Sequence, residues 1–404
     1  PRQRMRIRGR VVTGAFGALA LIAATGTSSA SELTEAAERG DRSRISEILD
    51  SAAAAASLVN EAAGYGMTAL LFAVQNDDID LAVQLLDAGA DPNQPNLYEI
   101  TPLWLAATNR SAAMTELLLD HGADAGFVMS HGENALMAAA RSGDAESIRL
   151  LIAAGANPNV ADARHGETAL SWAAAEDHGD AIRALIAGGA NPDQQGVVLD
   201  LAPMDWIQIG MVSTVLPAGG WSPLMYAARE NSMDAARALA ESGADLDLRD
   251  EDGTTALGFA IMNSHFDLAA QLLEAGADPD VADRTGMTAL YGAVDMVFFS
   301  SDIGRPRQPE FSRLGARDIV ALALEHGADP NAQLTGAIIG RHHGFGDFSL
   351  AAGATALMRA AKGGDIELMR SLIEAGADPG IAMANGQTVV DLVSGGDAQG
   401  GGLA

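Results

Sequence analysis

The stretch that decides the fold runs from Gly66-Met67-Thr68-Ala69-Leu70-Leu71-Phe72-Ala73-Val74 to Leu85-Leu86-Asp87-Ala88-Gly89-Ala90-Asp91-Pro92-Asn93. Thr68 is a helix-start residue whose hydroxyl can accept from an orphan backbone N–H. Leu70, Ala73 and Val74 then recur at helical spacing, and Leu85-Leu86 open a second apolar face. Gly89 supplies the left-handed position that ends that helix, and Asp91-Pro92-Asn93 turns the chain.

Outward from this unit the same signature returns. Openings stand at Thr68, Thr101, Asn134, Thr168, Ser222, Thr255, Thr288 and Thr355, with a truncated copy at Thr388. Most are 33 residues apart, and each full copy closes with Gly-Ala, from Gly89 to Gly376. Self-similarity at this period is the mark of a stacked array, because one copy cannot bury its apolar face alone. Pro102 and Pro223 fit the first helical position, where no N–H is needed. The pairs Ala106-Ala107, Ala139-Ala140, Ala173-Ala174 and Ala227-Ala228 allow close helix approach. Asp144, Asp180, Asp234, Asp267 and Asp365 are expected to cap the second helices.

A 33-residue period with Thr-Pro-Leu or Thr-Ala-Leu openings resembles the ankyrin repeat, over about residues 60–392. The resemblance implies an all-α repeat solenoid of helix-turn-helix units with β-hairpin fingers. It also implies a non-catalytic protein-binding module that uses its concave face and finger tips. Two departures stand out. The family's usual His after the Leu is replaced by Leu71, Trp104, Met137, Ser171, Met225, Gly258, Tyr291 and Met358. Inter-repeat hydrogen bonds are therefore expected to give way to apolar packing. Glu99 occupies a finger position where Gly is usual, so that finger is expected to differ.

The organisation follows from the register. Residues 31–60 read as an N-terminal capping repeat, 61–192 as four repeats, and 193–219 as an apolar insertion in a finger. Residues 220–331 carry three repeats, broken by an insertion at 295–316. A finger insertion spans 332–352, the eighth repeat and C-terminal cap span 353–394, and 395–404 form a Gly-rich disordered tail. Residues 1–30 have the layout of a secretory signal: five arginines, the apolar run Val11–Ala24, then small residues with cleavage expected after Ala30. Its removal would shift the net charge from −28 to about −33. The expectation is a bacterial periplasmic or secreted protein, monomeric, with no stable membrane insertion.

Composition excludes several functions. The chain of 404 residues has 53 acidic and 25 basic residues, a surface that repels nucleic acid. Zero Cys removes disulfides, thiolate metal sites and a cysteine nucleophile. No phosphate-loop or nucleophile-elbow motif occurs, so neither catalysis nor a cofactor is expected. The candidate partner-binding residues are Tyr65, Tyr98, His131 and His165, which precede the finger glycine or its equivalent in four successive fingers. Gln75, Asn76, Thr108, Asn109, Arg141 and Glu176 at inner-helix ends form an adjoining palm, and Trp206 lies in the first insertion. Fingers spaced like packed helices, about 10 Å apart, would keep His131 and His165 from sharing one metal. The alternative reading is a small-molecule or metal site built by insertions 193–219 and 332–352, lined by Trp206, His342, His343 and Asp347. The acidic run Asp245, Asp247, Asp250, Glu251 and Asp252 is expected to be a solvated turn. The cluster Arg305, Arg307, Arg313 and Arg317 would face either the protein's own acids or an anionic partner.

Overall fold

The computed structural model describes residues 32–50, 58–199, 218–298, 312–336, 350 and 352–394. The proposed signal, the tail, most of the first insertion and parts of the other two lie outside the described residues. So do Trp206, Arg305, Arg307, His342, His343 and Asp347.

The architecture is two rows of short helices. The inner row is α1 (Glu32–Arg39), α3 (Ala69–Gln75), α5 (Pro102–Thr108), α7 (Ala135–Ser142), α9 (Ala169–Ala175), α11 (Pro223–Glu230), α13 (Ala256–Met262), α15 (Ala289–Val297), α17 (Ala356–Lys362) and α19 (Val389–Ser394). The outer row is α2 (Arg42–Leu49), α4 (Ile79–Asp87), α6 (Ala112–Asp120), α8 (Ala145–Ala153), α10 (Gly179–Ala187), α12 (Met233–Glu241), α14 (Phe266–Glu274), α16 (Ala316–Glu325) and α18 (Ile366–Glu374). Each inner helix packs on the next inner helix, and each outer helix from α4 to α16 packs on the next outer one. This is an all-α repeat solenoid.

The openings act as read. Thr68, Thr101, Asn134, Thr168, Ser222, Thr255, Thr288 and Thr355 each accept a backbone N–H three residues on. Such a cap contributes about 1 kcal/mol. The Leu that follows two residues later is buried in every copy, as Leu70, Leu103, Leu136 and Leu170 show. Alanines such as Ala106, Ala139, Ala173 and Ala227 are fully buried and set the close helix spacing. The Gly from Gly89 to Gly376 at the end of each outer helix is left-handed, with φ between 83° and 101°.

The acidic caps need correction. Asp144 and Asp365 cap their helices, but Asp180, Asp234 and Asp267 lie inside the first turn. There the cap positions belong to His178, Ser232 and His265, whose side chains turn to the preceding repeat instead. Apolar packing is not all that stands in for the family's usual His, because inter-repeat hydrogen bonds form at other positions. His178 Nε2 bonds the Arg141 carbonyl at 3.1 Å, Ser232 Oγ donates to Ala175 at 3.2 Å and His265 Nδ1 to Ala228 at 2.9 Å. Asn109 and Ser142 do likewise to Val74 and Ala107. The row exists, relocated to the far ends of the inner helices.

The fingers are tight turns more than strands. One backbone bond closes each, such as Asn96 N–H to Ile100 or Met129 N–H to Glu133, and only isolated bridges form in three of them. A side-chain carboxylate or amide oxygen does the rest: Asn96, Asp162, Asp250 and Asp283 each accept from N–H groups of their own turn. Asp250 and Asp252 are consequently buried, not solvated, and Asp252 meets Arg284 at 2.9 Å. The first insertion begins and ends on a two-residue antiparallel pair, β1 (Val198–Leu199) with β2 (Ala218–Gly219).

Candidate functional site

The first finger tips carry a run of exposed apolar side chains. Tyr65 is 50% exposed, Leu97 76%, Tyr98 60% and Val128 42%, on three successive fingers. The Tyr65 and Tyr98 rings lean together, with centroids 6.3 Å apart and planes inclined at 23°. That is closer than helix spacing alone predicts, and within the range for offset aromatic pairs. His131 is exposed beside Glu133, at 3.7 Å, and His165 is half-buried.

A backbone ladder holds these fingers together. Leu97 N–H donates to Tyr65, Ala163 to His131, Val197 to His165, Arg284 to Asp252, Thr335 to Thr285 and Ala384 to Ala352. The acceptor is always the residue before the finger Gly. That Gly is required, because a Cβ at Gly66, Gly132, Gly166 or Gly286 would stand 2.5–2.8 Å from the next finger's backbone nitrogen. Glu99 has such a Cβ and is held at φ 63°, a left-handed value few side chains adopt. Here the ladder breaks. Among the described residues no N–H reaches the Tyr98 carbonyl, and Ser130 N–H donates instead to Glu99 Oε2 at 2.5 Å. That bond holds the Glu99 carboxyl below the usual carboxylate range, and the nearby His131 acts in the same direction.

The predicted palm residues divide. Gln75, Asn76 and Glu176 are exposed at helix ends. Asn109 Nδ2 is committed to the carbonyls of Val74 and Gln75, and Thr108 Oγ1 to Trp104. Arg141 lies over the Trp172 ring, 4.9 Å from its centre. A second aromatic group, not read from the sequence, sits near the mouth of the first insertion. Trp221 meets Tyr226 and Phe259 edge-on, both at 5.5 Å, and Arg229 lies 4.8 Å from the Trp221 ring centre. The buried Tyr226 hydroxyl donates to Glu167 Oε1 at 2.8 Å, and burial with the adjacent carboxylate pushes its pKa up.

Among the described residues, ligand atoms of Asp162, His165 and Glu167 lie within 4.8 Å of one another. The structure already employs two of the three: Asp162 accepts from the N–H groups of Arg164, His165 and Glu167, and Glu167 accepts from Tyr226. The set is therefore explained as a finger turn. Arg317 pairs with Asp365 and Arg313 approaches Asp267, so the described part of the basic cluster faces the protein's own acids. A hollow beside Leu257, Ile261 and Thr288 offers about 20 Å³, room for about one water. Among the described residues no helix is long and apolar enough to cross a membrane.

The family model described as ankyrin repeats (3 copies) matches residues 33–129, 70–162, 103–196, 161–250 and 206–283, and the single ankyrin repeat matches 352–383. The chain belongs to the ankyrin-repeat family. Among solved structures it is similar to the human ASB11 ankyrin repeat domain, at 25% identity, over 62% of this chain and 99% of that one, with a TM-score of 0.49. No curated protein matches it. Ankyrin repeats are generally protein–protein interaction modules and typically not enzymes.

Proposed function

We propose that this chain is a non-catalytic adaptor, acting in the periplasm or outside a bacterial cell, that binds a protein partner along its finger tips and the adjoining inner-helix ends. The observation that carries the reading is the ridge of Tyr65, Leu97, Tyr98 and Val128, four large apolar side chains exposed together on neighbouring fingers. Tyr is enriched at protein interfaces, where its ring buries area and its hydroxyl stays satisfied. The extracytoplasmic location is supported by the signal-like layout of residues 1–30.

The test is photo-crosslinking in cells, with a crosslinking amino acid at Tyr98 or Val128 and a control at Arg149 on an outer helix. Partner crosslinks are expected from the finger positions and not from the control. If Tyr65→Ala/Tyr98→Ala/His131→Ala leaves capture of every partner unchanged, the reading is lost. Fractionation with N-terminal sequencing is expected to find a chain starting at Ser31 outside the cytosol; an uncleaved cytosolic chain would overturn the location.

A further inference from the structure

The broken rung between the second and third fingers has a chemistry of its own. Its exposed groups are mainly acceptors, with the His131 imidazole beside Glu99 and Glu133. Among the described residues the Tyr98 carbonyl lacks the N–H that those of Tyr65, His131, His165, Asp252, Thr285 and Ala352 receive. The Glu99 carboxylate accepts from the Ser130 backbone N–H and is also hydrogen-bonded by the Ser130 side chain. The Tyr65 and Tyr98 rings stack on each other on the two adjoining fingers, and Glu133 lies on the next finger. The surrounding sequence strengthens the bias. From Ile45 to Ala140 there are thirteen acidic residues and one basic residue, Arg110. Arg110 follows α5, at the opposite end of that helix from the fingers. Both Tyr65 and Glu99 are held at left-handed φ, 62° and 63°.

We infer that the ridge of Tyr65, Leu97, Tyr98 and Glu99 docks a basic, arginine-bearing segment of a partner protein. A guanidinium carries donors in a planar fork, which suits a carbonyl and a carboxylate side by side, and it stacks on aromatic faces. Leu97 and Val128 supply apolar area for the flanking residues. Nucleic acid and anionic lipid are repelled by the same charge. This inference rests on the finger-tip reading above and adds the partner's chemistry to it.

The experiment titrates the full chain with a fluorescent Arg-Gly repeat peptide and its citrulline counterpart, the neutral isostere. Binding of the arginine peptide is expected to weaken about tenfold in Tyr65→Ala/Tyr98→Ala and in Glu99→Gln. Tyr65→Phe/Tyr98→Phe, which keeps the rings, and Asp245→Asn/Asp247→Asn/Asp280→Asn, which removes charge from distant fingers, are each expected to stay within about twofold. The citrulline peptide is expected not to bind. Melting curves of each variant establish that it is folded. Equal weakening in the distant triple variant would reduce the effect to net charge and overturn the inference, as would unchanged binding in the tyrosine or Glu99 variants. A cellular partner crosslinked at Tyr98 through a segment without Arg or Lys would overturn this chemistry while leaving the finger-tip reading intact. Arginine-peptide binding at the ridge with no cellular partner crosslinked anywhere would do the reverse.

Discussion

The imidazole of His265 donates from Nδ1 to the Ala228 carbonyl at 2.9 Å, across the boundary between two repeats. Burial lowers its pKa below the ordinary 6.5, outweighing the bond to Ala228 and the nearby Glu230, which both raise it. The unfolded chain therefore takes up this proton at higher pH than the folded one. Stability tied to His265 is full above about pH 6.5 and is lost as pH falls below it toward the folded value. Asn109 does the same work with an amide, donating to Val74 at 2.8 Å. His265→Asn is thus expected to keep the inter-repeat bond and flatten the fall in melting temperature between pH 7 and pH 5. His265→Ala is expected to lose about 1 kcal/mol at neutral pH, the net worth of a typical hydrogen bond. Parallel thermal melts across that range decide it, and an asparagine variant as acid-sensitive as the parent would remove His265 from the account.

At the scale of the element, the loops after the outer helices are stitched by a column of Asn and Asp. Asn60, Asn93 and Asn331 each work on both sides: the amide oxygen accepts the next repeat's Asp N–H and the amide nitrogen donates to its Gly carbonyl. Asn159 does the same with Asn191 and Gly189. At Asp193, Asp247 and Asp280 only the accepting half is present. Burial raises the Asp280 pKa, and the carboxylates of Asp278 and Asp329 push the same way. Its ionised form is therefore less favoured in the folded chain than in the unfolded one, despite the bond from Asp329 N–H. Asp280→Asn should restore the missing bond to the Gly327 carbonyl and remove the repulsion, raising stability by about 1 kcal/mol. Urea melts check this, with Asp280→Ala expected to fall below the parent; a lowered midpoint for the asparagine variant would refute the bidentate argument. This column also marks what the sequence discloses. Thr68 caps, Leu70 burial and the Gly89 turn are local matters, legible from spacing. Which side chain reaches the neighbouring repeat is set by stacking, so Asp180, Asp234 and Asp267 read as the caps while His178, Ser232 and His265 hold those positions and tie the repeats together. Tyr65, Tyr98, His131 and His165 fell into one column by register alone, and Glu99 stood out as a non-glycine. That its carboxylate takes Ser130 and leaves the Tyr98 carbonyl open depends on the fit of two fingers, which no single repeat encodes.

Across the whole molecule, stability in such an array is the sum of each repeat and its nearest-neighbour contacts, so a weak joint fails locally. The joint to inspect lies between the seventh and eighth repeats. Inner helices α15 and α17 pack, but the outer row, continuous from α4 to α16, gives α18 no comparable partner. On α18, Ile366 is 70% and Ile373 46% exposed. The apolar core continues through α15 and α17, and polar ties supplement it at this joint. Arg359 Nε donates to Asp295 at 2.6 Å with both side chains largely buried, Arg359 lies 4.8 Å from the centre of the Phe298 ring, and Arg317 pairs with Asp365 at the surface. Removing one member of a buried ion pair costs about 3 kcal/mol, because the other charge keeps its desolvation penalty. The surface pair contributes at most about 1 kcal/mol. Arg359→Ala should therefore open the eighth repeat alone. Hydrogen exchange is expected to speed up in α17 and α18 while α3 to α9 keep their protection, and Arg317→Ala is expected to change little. Exchange that rises evenly from α3 to α18 would show a single cooperative block and overturn the local joint. Because the Tyr65–Tyr98 ridge sits several interfaces away, peptide binding there is expected to survive Arg359→Ala unchanged, which separates the stability of the C-terminal repeat from the docking surface at the other end.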